Sequence, residues 1–421
     1  MKKIICLFLV LSFLLFTCDT DPVKVDIKTT DTGYQLYRAG KPYYIKGAGI
    51  EGHYKELVAA GGNSIRIWGV DQWAEAFAMA EKFDLTVCAG IWLEQERQGF
   101  DYSNPDTVKQ QFERYKPAIL KYKDHPKLLM WNIGNELDLN YTNPAVWDAV
   151  EEFAAYIHEV DGNHPTTTTT AFIEKEEVEY IKEKCPSIDL LCINAYAGLP
   201  VVSQFLKDFG WNKAYILGEW GTFGHWEVAK TGWNEPIEFT SKEKAELYFQ
   251  EYKDYILPEP NCLGSYVFFW GSKQERTPTW YGMFLQNGAK TQAVDVMHKL
   301  WKNEWPTDRA PILDSLRIDE KSAHASIIFK PETQHSAEVW AIDPENQALT
   351  VKWQILHETT DKRTGGDEET RPPKAEYKII EKRDNQLSFL APKQSGAYRL
   401  FVYVYDETGN AAHANIPFFV K

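Results

Sequence analysis

Eight short apolar runs, alternating with helical patterns, constrain this chain more than any other feature. They occupy residues 43–48, 64–69, 86–93, 128–135, 165–172, 190–196, 213–219 and 262–270. Between them apolar residues recur at helical spacing. Trp73, Phe77 and Ala80 mark one helix, and Phe112, Tyr115 and Ile119 another, which Pro117 is expected to kink or interrupt. Ala245, Tyr248, Phe249, Tyr252 and Ile256 share one face behind a Thr240/Glu243 capping box, and Val294, Met297 and Trp301 mark the last helix. Strands alternating with helices pair in parallel. Eight such units in roughly 260 residues predict an α/β fold, a closed (β/α)8 barrel of the triosephosphate isomerase type. A doubly wound open sheet competes, and Gly47-Ala48-Gly49-Ile50-Glu51-Gly52 superficially has its Gly spacing. It lacks the following helix pattern and a correctly placed acid.

Two of the runs end in a way that needs explaining. Leu128-Leu129-Met130-Trp131-Asn132-Ile133-Gly134-Asn135-Glu136 and Ala214-Tyr215-Ile216-Leu217-Gly218-Glu219-Trp220 both climb through apolar residues and stop on glutamate. A buried carboxylate is unfavourable unless it is paired. The carboxyl ends of barrel strands carry the active site. Glu136 and Glu219, ending the fourth and seventh strands, can therefore converge on one bond although far apart in sequence. Two carboxyl groups, one protonated and one ionised, are the tools for cleaving a glycosidic bond. The charge of the ionised member is expected to keep its partner protonated.

With Asn135-Glu136 on strand four and Glu219 on strand seven, the chain resembles the clan A glycoside hydrolases over about residues 40–305. The resemblance implies that Glu136 is the acid/base and Glu219 the nucleophile, with net retention of configuration. It implies that Arg66, in Ser64-Ile65-Arg66-Ile67-Trp68, holds the nucleophile ionised, and that Asn135 bonds the sugar 2-hydroxyl. Tyr196 then stands near the nucleophile, and Trp270 floors the subsite of cleavage. The segments Lys46-Gly47-Ala48-Gly49, Trp131 to Glu136 and Gly218-Glu219-Trp220-Gly221 also look like fungal β-1,3-glucanosyltransferases. Size and layout most resemble glycoside hydrolase family 158, bacterial endo-β-1,3-glucanases. That implies a laminarin-type substrate and a mainly structural C-terminal domain. A transglycosylase on the same glucan, a hydrolase of another β-glycan such as mannan, and a non-catalytic glycan-binding lipoprotein remain as alternatives.

Of the 15 Trp, only Trp340 and Trp353 lie beyond residue 305. Trp92, Trp220, Trp226, Trp233 and Trp280 fall at strand ends or in loops after strands three, seven and eight, where they suit an extended, endo-acting cleft for a polysaccharide or oligosaccharide. Trp68 ends the second strand beside Arg66. Glu94, after strand three, is either a sugar ligand or an exposed loop charge; Asp138 and His225 are similarly open. No His, Cys, Asp or Glu spacing suggests a metal, and no cofactor is expected. The net charge of -14 disfavours nucleic acid and anionic membrane surfaces. Cys88, Cys185, Cys192 and Cys262 read as buried thiols, and a monomer is expected.

The ends read differently. Lys2, Lys3 and apolar residues 4–16 have the form of a signal peptide, and Leu15-Phe16-Thr17-Cys18 resembles a bacterial lipobox. Residues 1–18 are thus expected to be removed or lipidated at Cys18, placing a lipoprotein in the cell envelope, with simple secretion as the alternative. A small hairpin opens the catalytic part, residues 23–305. Beyond residue 311, seven short alternating runs predict an all-β immunoglobulin-like sandwich to residue 421. Within it, 359–373 (Thr-Thr-Asp-Lys-Arg-Thr-Gly-Gly-Asp-Glu-Glu-Thr-Arg-Pro-Pro) is expected to be a mobile surface loop.

Overall fold

The computed structural model describes residues 22–421. Cys18 and the rest of the expected signal peptide lie outside them. A three-stranded antiparallel sheet comes first: β1 (Val25–Thr29), β2 (Tyr34–Arg38) and β3 (Lys41–Tyr43). The barrel follows, as β4 (Ile45–Ile50), β5 (Ser64–Ile67), β6 (Thr86–Ile91), β7 (Leu128–Asn135), β8 (Thr166–Thr170), β9 (Leu190–Asn194), β10 (Tyr215–Trp220) and β11 (Cys262–Trp270). All neighbours pair in parallel, and β11 closes onto β4. Each expected run supplies one strand. Eight helices wrap them: α1 (Tyr54–Ala59), α2 (Trp73–Phe83), α3 (Pro105–Tyr122), α4 (Ala145–Val160), α5 (Lys175–Lys184), α6 (Val202–Asp208), α7 (Ser241–Glu251) and α8 (Gln292–Lys302). The interruption expected at Pro117 does not occur. Buried Phe112 and Ile119 hold α3 to the barrel on both sides of the proline, and the helix runs through it.

The barrel interior has two characters. At its amino-terminal end Ile45, Leu129, Met130, Leu190 and Ile216 form an apolar layer, plugged by Val25 and Leu36 of the first sheet. Above it the interior turns polar, with Arg66, Asn132, Thr169 and Asn194 all buried. Polar side chains below a strand mouth need partners, and these find one another at the site described below.

After α8 come two four-stranded sheets. One runs in the order β12 (Ile312–Ile318), β14 (Gln334–Ile342), β17 (Gln386–Leu390), β16 (Lys378–Lys382); the other β13 (Ile327–Phe329), β19 (Ala411–Val420), β18 (Gly396–Tyr405), β15 (Thr350–His357). Their pairing is antiparallel except for β13 with β19. Leu316, Phe389, Leu400 and Phe418 share one core between them. Eight strands form where seven were expected. A register shift between Leu313 and Ser315 breaks the alternation that would have betrayed β12.

The sheets are joined to the barrel by buried polar contacts. Arg399 pairs with Glu358 at 3.1 Å, donates to Asn415 Oδ1 at 2.7 Å, and reaches the Pro236 carbonyl of the barrel at 2.9 Å. Asn415 donates to Glu238 Oε2 at 2.6 Å, and Glu238 in turn binds Lys244 at 2.6 Å. Removing one partner of a buried pair leaves an uncompensated charge. Arg399→Ala is therefore expected to lose about 3–5 kcal/mol in urea unfolding. A loss below about 1 kcal/mol, the value of an exposed pair, would show that this junction contributes little.

Candidate active site

Glu219 sits near the end of β10 and is 6% exposed. Three donors hold its carboxylate. Arg66 Nη1 and Trp68 Nε1 reach Oε1 at 2.7 and 3.0 Å, and Tyr196 Oη reaches Oε2 at 3.0 Å. Burial keeps the Tyr196 phenol well above its ordinary range, so it remains a donor. Arg66 is fully buried, and its other contacts organise the floor. Nη2 donates to Asn135 Oδ1 at 2.6 Å and to Thr169 Oγ1 at 3.3 Å, and Nη1 also reaches the Gly218 carbonyl at 3.2 Å. Gly218 makes room for this crossing. A Cβ there would lie 2.4 Å from Cys192 Sγ, 2.8 Å from Asn194 Oδ1 and 3.4 Å from the Arg66 guanidinium carbon.

Glu136 lies just past β7, where the pairing with β8 shifts register between Asn132 and Asn135. Its φ is +50°, the left-handed region that non-glycine residues seldom adopt. Consecutive residues of a regular strand point to opposite faces. The irregularity lets Asn135 and Glu136 both serve the site. Asn135 spends Oδ1 on Arg66 and lines the cavity; its Nδ2 has no protein partner among the described residues. Asn194, at the end of β9, donates to Glu136 Oε1 at 2.7 Å. Burial pushes Glu136 up to about 8, the Glu219 charge adds to the rise, and the Asn194 bond works against it.

These groups open on a cavity of about 950 Å³. Trp68, Trp92, Asn135, Glu136, Tyr196, Glu219 and Trp226 line it, as sequence predicts. Trp226 stands 56% exposed at the rim, edge-on to Tyr196. Arg66 lies beneath the lining and acts through Glu219 and Asn135. Four other expectations fail, and Glu94 takes the second of its two readings, a loop charge. Trp220 follows Glu219 on the strand, so its ring faces away and packs on Tyr248 and Tyr252. Trp270 likewise turns outward, against Trp301, with Nε1 on the His53 carbonyl at 3.1 Å. Phe268 and Phe269 occupy the wall expected of it. Trp280 is buried, its Nε1 on the Phe223 carbonyl at 3.0 Å. Trp233 packs on Phe419 of β19. Glu94 pairs with Arg114 at 3.0 Å, outside the cavity.

The structure adds residues that sequence reasoning missed. Asn194 carries the same signal as the glutamates, a polar residue closing an apolar strand. Glu275, in the loop after β11, has no periodic signal at all. It lines the cavity 3.5 Å from Lys273 and is pushed up to about 7, mainly by burial. Asp138 and His225 also line it. Burial raises Asp138 well above its ordinary range and lowers His225 to about 4, so the imidazole is neutral. Among the described residues no cluster of His, Cys, Asp or Glu is arranged to hold a metal ion. The four described cysteines are buried and free.

The TIM-barrel domain model of glycosyl hydrolases family 2 matches residues 72–302, more than half of the chain. That span contains both glutamates and lends no support to the narrower likeness to family 158. No curated protein matches the chain in sequence. Among solved structures, the β-glucuronidase of Bacteroides uniformis is similar at TM-score 0.52, with 13% identity over 94% of this chain and 48% of that one. The β-D-glucuronidase of Dictyoglomus thermophilum gives 0.52, with 17% identity over 67% and 54%. That of Bifidobacterium dentium, complexed with coumarin-3-O-glucuronide, gives 0.50, with 17% identity over 66% and 49%. These likenesses are of fold. The chain spans about half the length of these β-glucuronidases.

The Asn194 contact makes a direct prediction. Its bond favours the ionised form of Glu136, so removing it raises the carboxyl's midpoint further. In Asn194→Ala, the titration of Glu136, followed by carboxyl 13C shift, is expected to move upward from about 8 by about one pH unit. An unmoved or lowered midpoint contradicts this reading of the contact.

Proposed function

We propose, from the premise that the chain belongs to the glycosyl hydrolase family 2 TIM-barrel family, that Glu219 and Glu136 cleave a β-glycosidic bond by double displacement. The opposed surroundings of the two carboxyls carry the proposal. Three donors hold Glu219 as a carboxylate acceptor, while burial and the Glu219 charge keep the Glu136 proton in place to about pH 8. In the first step a Glu219 oxygen bonds the anomeric carbon. The bond to the glycosidic oxygen breaks, and Glu136 gives its proton to that oxygen, so the aglycone leaves as an alcohol. A glycosyl ester on Glu219 remains. In the second step Glu136, now a carboxylate, takes a proton from water as that water attacks the same carbon, and Glu219 departs. Two inversions give retention. Asn135 Nδ2, oriented by Arg66, is placed to bond a sugar hydroxyl.

Existing ion pairs favour a neutral sugar. The cations that line the cavity already face carboxylates of the protein: Lys273 lies 3.5 Å from Glu275, Arg276 2.8 Å from Glu369 and Arg363 2.6 Å from Asp361. A uronic acid would have to compete with these carboxylates. Trp68, Trp92, Phe172, Trp226 and Phe268 offer flat faces for sugar rings. A neutral β-glucan fits, and the sequence resemblance favours β-1,3 linkage. Of the tryptophans behind the expectation of an extended cleft, only Trp92 and Trp226 line the cavity, and the loop at 359–373 bounds it. We therefore place cleavage at the ends of glucan chains or on short oligosaccharides rather than within long chains. The leader motif supports lipidation at Cys18, for which the mass of the mature amino terminus is the test.

Glu219→Ala is expected to lose on the order of 10⁴ or more in kcat. Added azide should release a glycosyl azide of inverted configuration. Glu136→Ala should keep its first step on a nitrophenyl glycoside, whose leaving group needs no acid, and give a retained azide product. Swapped configurations would reverse the two roles. On a panel of laminarin, cellulosic, mixed-linkage, xylan and mannan oligosaccharides, hydrolysis of laminarin fragments is expected. Activity confined to mannan would contradict the glucan reading and leave the mechanism standing.

A further inference from the structure

The segment between β15 and β16, expected to move freely in solvent, instead lies on the mouth of the barrel. Its base is closed by the His357 N–H on the Pro373 carbonyl at 3.0 Å. From there it is fastened to four βα loops. Asp367 receives both Arg97 Nη1 and Nη2, at 2.9 and 3.0 Å, from the loop after β6, and Arg97 Nη1 also takes the Thr364 carbonyl at 3.1 Å. After β7, Leu139 packs so closely that a Cβ on Gly365 would fall 2.9 Å from its Cδ2; Gly365 also has φ of +66°, so glycine alone fits there without strain. After β10, Glu235 binds Lys362 at 2.7 Å. After β11, Lys273 takes the Gly366 carbonyl at 2.8 Å, and Arg276 holds Glu369 at 2.8 Å. In the closed order of strands β7 and β11 are diametrically opposed. This strap therefore reaches both sides of the mouth.

Its inner stretch, Arg363–Asp367, lines the cavity that holds the two glutamates. The fastenings use its acceptors: the Thr364 and Gly366 carbonyls and the Asp367 carboxylate. Its donors are left over. The backbone N–H groups of Thr364, Gly365, Gly366 and Asp367 and the two Nη groups of Arg363 have no protein partner among the described residues. Backbone donors rarely stay unpaired except toward water or a ligand. A row of donors beside an acid-rich cavity suits the oxygens of a polyol.

We infer that Arg363–Asp367 is a specificity-determining wall, contacting the part of a saccharide beyond the ring held between Glu136 and Glu219. This rests on the glycosidase reading above. Arg97 serves it as a positioning residue, since it lines no part of the cavity itself. The C-terminal sheets thus contribute to substrate choice as well as to stability.

The test compares wild type with Arg97→Ala, which unfastens the strap. The readout is the ratio of kcat/KM for laminaritriose to that for 4-nitrophenyl β-D-glucoside, whose small aglycone has little to offer the wall. The ratio is expected to fall about tenfold, mostly through KM. A parallel measurement does not depend on turnover or on that variant folding: hydrogen exchange of residues 361–370 in the Glu219→Gln protein with millimolar laminaritriose. Slowed exchange there is expected. An unchanged ratio in a folded Arg97→Ala protein, or exchange unaffected by the trisaccharide, overturns the inference. Turnover by wild type with either of those results would leave the glycosidase reading intact. Absent turnover with slowed strap exchange would do the reverse.

Discussion

A single buried guanidinium organises this site. Arg66 is fully buried, and ion pairs in such places are favourable only with good geometry and further hydrogen bonds. Here it has both. It holds Glu219 at 2.7 Å, Asn135 at 2.6 Å and the Gly218 carbonyl at 3.2 Å. Through these contacts one side chain from β5 fixes the ends of β7 and β10. The narrow passage it occupies exists because residue 218 has no side chain. Trp68, just past the end of that strand, adds a second donor to the same carboxylate oxygen.

The consequences of that anchor spread to the other carboxyl. With Glu219 fixed there, a second acid in the same cavity ionises against both burial and the Glu219 charge. Glu136 is that acid, and its position is itself unfavourable, on a left-handed backbone beyond a shifted register. Proteins keep such strain where surrounding structure imposes it, and it gathers at functional sites. The fold thus sets the two carboxyls apart before any substrate arrives, with Glu219 accepting from three donors and Glu136 from Asn194. Preorganised donors of this kind need no rearrangement at the moment of reaction.

How far the sequence disclosed this follows from the physics of each element. The barrel was legible because strands buried on both faces read as continuous apolar runs, and both glutamates were legible as violations of those runs. The tryptophans were harder. Trp92 and Trp226 do line the cavity, but Trp220 and Trp270 sit on strands, where one position decides which way a ring points. Irregular pairing near the strand ends hides that parity. Trp233 and Trp280 depended on loop paths that have no period. The strap at 359–373 was misread for a related reason. Gly-Gly among charges is the composition of a free loop, yet Lys362, Asp367 and Glu369 each have a partner on the barrel, 93 to 270 residues away in sequence. Long-range pairing of polar residues leaves no local trace.

The central claim is that Glu219 forms a covalent bond with the sugar while Glu136 only moves a proton. The most direct measurement is trapping. An activated 2-deoxy-2-fluoro-β-glucoside slows both steps, and a good leaving group restores the first, so the glycosyl ester accumulates. Mass spectrometry of the intact protein and its peptides should then show one added fluorosugar, located on Glu219, and none in Glu219→Gln. A fluorosugar on Glu136 would reverse the assignment, and turnover of the parent glucoside without any trapped ester would contradict double displacement.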